Sequence, residues 1–456
     1  MAKLTIAFGA WKEGKVSPSL REVAIVLPKQ SNIKLAAVSP KLLRELIHPN
    51  KTCAPHGLRF SPDGQRIIAG DYPGGIVAVW DVETGKRLVA IETGSGGRGS
   101  ADYFFITPDW QTLFVSQPGQ RRIDKVEKNG KTAIRWTYDG SISSWNLATG
   151  ELLKTLRHDP PRFILAMGFS PKGAHFVTSE WLPGISDGRP NAGASLWNVD
   201  TGKWIDLGGN VETYSRFSPD GKTLAATTVD KDFKTTALIL FDSATGKPKL
   251  SIPVDDKNAR TFISNFSPDG KWMLVGSQIF DKPKNFTNWQ VRLDVHESAT
   301  GKKVASLHGE PNQHLNATFA PDGKTLAIVN TRGKDHKLFL FNVAENRVVK
   351  TIHVGSDAKG DRFLIGINPI FSPDGKRLAV GTQVLPEPFA DDLTALDVAQ
   401  PRVLLFDVET GTIRDTLVLP QGYSRAACVS PDGRTLAVGG YGRVLLWNVD
   451  SRGKKP

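Results

Sequence analysis

Catalytic signals in this sequence are sparse, and the strings that come nearest to them fail on context. Gly94-Ser-Gly96-Gly-Arg-Gly99 matches a dinucleotide-binding turn, in which glycines let backbone N–H groups approach a pyrophosphate at the start of a helix. No helical pattern follows it, so nothing would aim the cradle. The nine histidines are dispersed, and none stands in a His-x-x-x-His pair that would hold a metal. Cys53 and Cys428 are the only cysteines, too few for a disulfide scaffold or a multi-cysteine zinc site, and they read as free thiols of a reducing compartment. No Gly-x-Ser-x-Gly elbow stands on a strand-to-helix turn. These spacings point to no catalytic residue, no cofactor and no metal.

Binding chemistry is better represented. The densest cationic run is Arg121, Arg122, Lys125, Lys128, Lys131 and Arg135, with Trp136 and Tyr138 beside it. Cations interleaved with stacking aromatics can hold an anionic polymer. Three acids, Asp124, Glu127 and Asp139, halve those six charges. A second set is aromatic: Tyr72, Trp181 with Leu182 and Ile185, Phe280, Phe286 with Trp289, and Phe389. At least half of these are expected to anchor long loops, since single exposed apolar residues are common. The remainder are candidate hot spots for a protein partner.

The elements that must position these residues are short strands. The chain has 456 residues, with 58 Lys+Arg against 46 Asp+Glu, a net charge of +12. Glycine (44) and proline (29) make up about one residue in six, an excess that without collagen-like periodicity implies many tight turns. No stretch approaches the roughly 18 apolar residues of a membrane span. The start, Met1 to Trp11, lacks a secretory cleavage pattern, and a cytoplasmic location is expected.

One phrase recurs eight times: Ser61-Pro-Asp-Gly64, Thr107-Pro-Asp-Trp110, Ser170-Pro-Lys-Gly173, Ser218-Pro-Asp-Gly221, Ser267-Pro-Asp-Gly270, Ala320-Pro-Asp-Gly323, Ser372-Pro-Asp-Gly375 and Ser430-Pro-Asp-Gly433. Proline pre-sets the first turn position, Asp tolerates the next, and Gly takes the tail, so each phrase closes a hairpin. An aromatic followed by Asp or Asn recurs downstream, at Trp80-Asp81, Trp145-Asn146, Trp197-Asn198, Phe241-Asp242, Phe341-Asn342, Phe406-Asp407 and Trp447-Asn448. The fifth unit has His296-Glu297 there instead. In six units a glycine follows four residues after the acid or amide, and in the sixth unit Asn346 takes its place, as a residue tolerant of positive φ should.

Two phrases in fixed order, one gap held constant, describe a four-stranded meander repeated along the chain. In this the sequence resembles the WD-repeat β-propeller family over roughly residues 41 to 450. A literal Trp-Asp pair occurs once and the Gly-His dipeptide of the family is absent, but His48, His158, His308 and His353 persist near its place. The resemblance implies that these histidines belong to a structural hydrogen-bond network. Eight turn phrases imply eight blades, or seven if the long second unit, 108 to 171, is not a full blade.

The last unit ends after its third strand, Arg443 to Trp447. Leu42 to His48 match Leu152 to His158 in type, so the repeat phase makes them the missing outer strand, although Ser39 to Leu46 alone would read as a capped helix. Pairing there removes an open edge and closes the ring. The expected organisation is an N-terminal flank, 1–40, with a possible hairpin from Glu22–Val26 and Ile33–Ala37, a propeller over 41–450, and a polar tail, 451–456.

Length variation falls between the second and third strands of each unit, where the spacing from turn proline to later acid or amide runs from 17 to 38 residues. Those loops share one face of a propeller, and insertions on one face mark a binding side. The expected function is a non-catalytic protein–protein interaction scaffold. One alternative is a binder of nucleic acid or an acidic protein through the basic loops, and another is an enzyme with scattered residues at the funnel mouth. The family resemblance favours the scaffold, with no membrane partner.

Overall fold

The computed structural model describes residues 4–5 and 40–450, apart from 73–74, 95–103, 129–130, 187–190, 212–214, 231–233, 255, 257–258, 283–284, 310–314, 331–335, 356–361, 386–399 and 421–425. The described residues are all-β and contain no helix. Eight antiparallel four-stranded meanders stand side by side as the blades of a propeller. The first is built from Ala54–Phe60, Arg66–Tyr72, Ile76–Asp81 and Arg87–Glu92. Blades 2 to 7 span residues 104–156, 163–209, 216–253, 259–308, 315–355 and 362–418. The second unit is a full blade with an extra hairpin inserted, which settles the count at eight rather than seven.

Blade 8 takes three strands from the end of the chain, Ala427–Val429, Thr435–Gly440 and Arg443–Asn448. Its outermost strand is Lys41–Ile47, antiparallel to Arg443–Asn448 with Leu46 opposite Val444. The backbone of Leu4–Thr5 adds a parallel strand to the outer edge of blade 5. The suggested hairpin of 22–26 and 33–37 lies outside the described residues.

The core is divided among the seams between blades. Eight apolar clusters are found among the described residues, and each joins one blade to the next. The cluster that joins the last blade to the first holds Leu46, Leu58, Ile67, Trp80, Ala437 and Leu446. A sheet covered on both faces has no polar side, which is why the second strands read as apolar runs such as Leu326-Ala-Ile-Val329.

The two recurring phrases are hydrogen-bond devices. In the first, the Ser61 hydroxyl donates to Asp63 (2.5 Å) and accepts from the Arg66 N–H (2.8 Å), while Gly64 turns at φ +71°. Trp110 takes that left-handed position in blade 2, at φ 58°. In the second, Asp81 accepts from both the N–H and the hydroxyl of Thr84. A threonine preceding the turn glycine recurs at Thr149, Thr201, Thr245, Thr300 and Thr410, and Asn346 adopts φ 50° where its unit lacks the glycine.

Candidate interaction site

The insertion in blade 2 is a hairpin of Arg121–Lys128 and Lys131–Tyr138, paired in full register from Arg121 opposite Tyr138 to Lys131 opposite Lys128. It does not join its own blade's sheet. A third strand, Gly184–Ser186 from the long loop of blade 3, pairs with it at Trp136, Arg135 and Ile134. Two neighbouring blades thus build a separate three-stranded platform on the face where the variable loops emerge, and Arg121–Lys128 is its edge strand.

Alternation along the hairpin sorts its side chains. Arg121, Ile123 and Lys125 share one face with Trp136 and Tyr138, and Arg122, Asp124 and Arg135 share the other. Trp136 and Tyr138 are buried, whereas Arg121, Arg122, Lys125 and Arg135 are exposed and Ile123 is 48% exposed. The Arg121 guanidinium lies 5.3 Å from the Trp136 ring and 6.0 Å from that of Trp181. Trp181 in turn stacks on Phe163 at 5.0 Å, and Phe163 meets Tyr138 at 5.8 Å. Burial pushes the Tyr138 phenol up to about 12, against the opposing pull of Arg121.

The platform is fixed at its base. Gly119 turns at φ +80° and the Gln120 N–H donates to Asp139. A Cβ on Gly140 would meet the Arg162 carbonyl oxygen at 2.3 Å and that of Pro118 at 2.7 Å, so only glycine fits this crossing. Beneath it, Arg162 donates to Glu180 (2.8 Å), Ser195 (3.1 Å) and Asp206 (2.9 Å). His158 reaches Glu180 at 2.9 Å, Thr178 donates to the same carboxylate, and the Trp197 indole donates to Thr178 at 2.8 Å. Burial alone would lower the Arg162 pKa, but its bonds to Glu180 and Asp206 outweigh it and hold the guanidinium charged.

Two groups of residues singled out in the sequence therefore meet: Trp181 from the aromatic set and Arg121 from the cationic run. Lys128 and Lys131 are placed by backbone at the hairpin tip. Phe280 is only 9% exposed and stands opposite Trp289 in blade 5, and Trp289 packs against the core shared with blade 6, so both rings serve packing. The backbones of Tyr72 and Phe286 lie in blades 1 and 5, and Phe389 lies outside the described residues. By backbone, Tyr72 in blade 1 and Phe280, Phe286 and Trp289 in blade 5 do not converge with Trp181 in blade 3.

Sequence reasoning missed the polar network around Arg162 and a second group at the other seam, His48, Cys53 and Asp71. The signal for the first was Thr178 two residues before Glu180 on one strand face, in the unit that follows His158. In the second, the Cys53 sulfur lies 3.3 Å from His48 Nδ1, and burial pushes the thiol up to about 12. Among the described residues no helix is long and apolar enough to cross a membrane.

No family model matches the chain. An uncharacterized WD repeat-containing protein of Synechocystis is 25% identical over 174 residues, which are 37% of this chain and 40% of that protein. A second uncharacterized WD repeat-containing protein, from Deinococcus radiodurans, is 28% identical over 205 residues, 41% of this chain and 68% of that protein. Eukaryotic translation initiation factor 3 subunit I of Meyerozyma guilliermondii is 24% identical over 226 residues, 46% and 59% of the two chains. The chain thus spans less than two thirds of the length of the first and third of these relatives.

Proposed function

We propose that this eight-bladed β-propeller, similar over part of its length to WD repeat-containing proteins, is a non-catalytic interaction scaffold whose docking surface is the platform of blades 2 and 3. The observation that carries the proposal is the platform itself. The strands Arg121–Lys128, Lys131–Tyr138 and Gly184–Ser186 contribute nothing to the eight blade sheets, yet they are held to them by a glycine crossing and a buried ion network. A rigid attachment of that kind keeps a surface preorganised for a partner.

The partner that fits is an extended, acidic protein segment. The hairpin from 117 to 140 carries six cations and three acids. Arg121–Lys128 ends its sheet among the described residues, so its backbone can accept another strand while Arg122, Lys125 and Arg135 meet carboxylates and Ile123 meets an apolar residue. Charged residues on an edge strand also discourage self-association, which is compatible with a selective partner. A cytoplasmic location is proposed with it, in keeping with two cysteines that are free.

The test compares the native chain with one in which residues 121–138 are replaced by a short Gly-Ser turn, and with the Arg121→Glu/Arg122→Glu variant. The probe is a fluorescein-labelled oligoglutamate peptide, with labelled oligothymidylate as the second arm. The native chain should bind the peptide in a salt-dependent manner, and both variants should lose about tenfold or more, equivalent to about 1.4 kcal/mol. Equal peptide binding without the hairpin would refute the platform. Tighter binding of oligothymidylate would favour nucleic acid instead.

A further inference from the structure

The strand that closes the ring ends at a group of donors whose chemistry the interaction surface does not use. Lys41–Ile47 is followed by His48, a five-residue step leads to Cys53, and Ala54–Phe60 then opens blade 1. Asp71, near the end of Arg66–Tyr72, stands opposite Pro55 in the ladder and so faces the same point. All three side chains are buried, at 0%, 3% and 1% exposure. One ligand atom from each, an imidazole nitrogen, the Cys53 sulfur and an Asp71 oxygen, lie within 4.8 Å of one another.

The fold supplies its own comparison. Counted along the repeat, His48, Ala69 and Asp71 hold the places of His158, Thr178 and Glu180 in blade 3. There, Thr178 links the carboxylate to the Trp197 indole and Arg162 completes the charge. In blade 1 Ala69 cannot bridge as Thr178 does, and Thr52, four positions after His48 as Arg162 is after His158, carries no charge to meet the carboxylate. A thiol takes the space instead. Its sulfur is 3.3 Å from His48 Nδ1, and His48 Nε2 has no hydrogen-bond partner. Asn50 steadies the group, donating its side-chain amide to Asp71 (2.8 Å) and its N–H to His48 Nδ1 (3.1 Å).

We propose that His48, Cys53 and Asp71 form a divalent zinc site that fixes the end of the closing strand to blade 1. Zinc takes sulfur at about 2.3 Å and nitrogen or oxygen at about 2.0–2.2 Å in a tetrahedron. Those bond lengths place a sulfur and a nitrogen ligand roughly 3.5–3.7 Å apart in a tetrahedron, so the 3.3 Å separation of Cys53 and His48 needs to open by only a few tenths of an ångström. A mixed sulfur, nitrogen and oxygen set suits a borderline-soft ion and disfavours magnesium and calcium. On binding, the Cys53 sulfur forms the bond to zinc and its proton leaves to solvent, while neutral His48 gives its lone pair in place of the Asn50 N–H contact. The fourth position takes a water molecule. Because the ligands come from the end of the closing strand, the entrance to blade 1 and its second strand, bound zinc fixes the end of the closing strand against blade 1.

The experiment uses the full chain, stripped with chelator and reduced, and titrated anaerobically with cobalt(II) as a spectroscopic stand-in for zinc. Expected are the thiolate-to-cobalt band in the near ultraviolet and strong tetrahedral visible bands, saturating at one equivalent and lost on adding zinc. Cys53→Ser should abolish the ultraviolet band, Asp71→Asn should weaken binding about tenfold or more, and Cys428→Ser should change neither. Zinc should also raise the thermal midpoint of the native chain and leave that of Cys53→Ser unmoved. X-ray absorption of the zinc-loaded native chain, which needs no variant to fold, should show one sulfur in the first shell. A shell of nitrogen and oxygen alone, a cobalt band that survives in Cys53→Ser, or no saturable band at all would overturn the proposal.

Discussion

Ring closure by the early strand makes its sharpest prediction within that strand. Leu46 is 1% exposed and lies in the cluster with Leu58, Trp80 and Leu446, whereas Leu42 is 41% exposed. Replacing Leu46 by alanine removes three buried carbons, about 2.4 kcal/mol at 0.8 kcal/mol per carbon, and a residual cavity brings the loss to about 3 kcal/mol. The same change at Leu42, scaled by its buried fraction, costs about 1.4 kcal/mol with no enclosed cavity to add. Urea denaturation of both variants measures the difference, with the slope of the transition unchanged in each. A helix over the same residues would set Leu42 and Leu46 on one face and predict equal losses. Equal losses, or a larger one at Leu42, would refute the pairing of Lys41–Ile47 into blade 8.

Arg162→Met leaves Glu180 buried without its cation and should cost about 3–5 kcal/mol in urea denaturation, while the Arg162→Met/Glu180→Gln double variant should recover part of that loss. If the single variant is as stable as the native chain, the network does not hold the crossing. Burial lowers the folded-state pKa of His175 and His296 below the ordinary 6.5. The unfolded chain therefore takes up protons first as pH falls, so this contribution is complete above 6.5 and is lost progressively below it, down to the folded-state values. The urea midpoint should fall between about pH 7 and about pH 5, and His296→Gln should flatten that slope; an identical slope would show that His296 is not buried as a neutral ring.

The blades were legible because each turn is chemically autonomous. Ser218, Asp220 and Gly221 complete their hydrogen bonds within six residues of chain, so the phrase fixes a hairpin wherever it stands. The closing strand was legible through repeat phase, even though local propensity from Ser39 to Leu46 argued for a helix; tertiary pairing with Arg443–Asn448 outweighs it. The platform was only half legible. The run from Arg121 to Arg135 was visible as charge, but its pairing with Gly184–Ser186 joins residues about fifty positions apart, and no local pattern encodes that partnership. For the same reason Trp181 and Phe280 looked equivalent in sequence, although one lies beside an exposed guanidinium and the other is packed inside its blade. The grouping of His48, Cys53 and Asp71 has no signature in spacing along the chain, because the third residue arrives across a ladder.

The polar groups around Glu180 and Asp71 occupy one slot of the repeat, and their difference explains how a symmetric ring acquires unlike seams. In both slots a histidine stands where one blade hands the chain to the next, and an acid stands near the end of the second strand. With Thr178 between acid and indole, and Arg162 entering from the crossing, the slot in blade 3 becomes a closed hydrogen-bond chain that fixes the base of the platform. With Ala69 and Cys53, the slot in blade 1 cannot close that chain, and its donors point at one another instead. Since a buried ion pair adds little stability over an apolar core of the same shape, the arrangement in blade 3 is better understood as fixing geometry than as strengthening the ring. Blade 8 itself is completed by the ladder of Lys41–Ile47 on Arg443–Asn448, which joins residues nearly four hundred positions apart, and a ligand cluster at residues 48, 53 and 71 would hold the near side of that junction to blade 1 rather than bridge it.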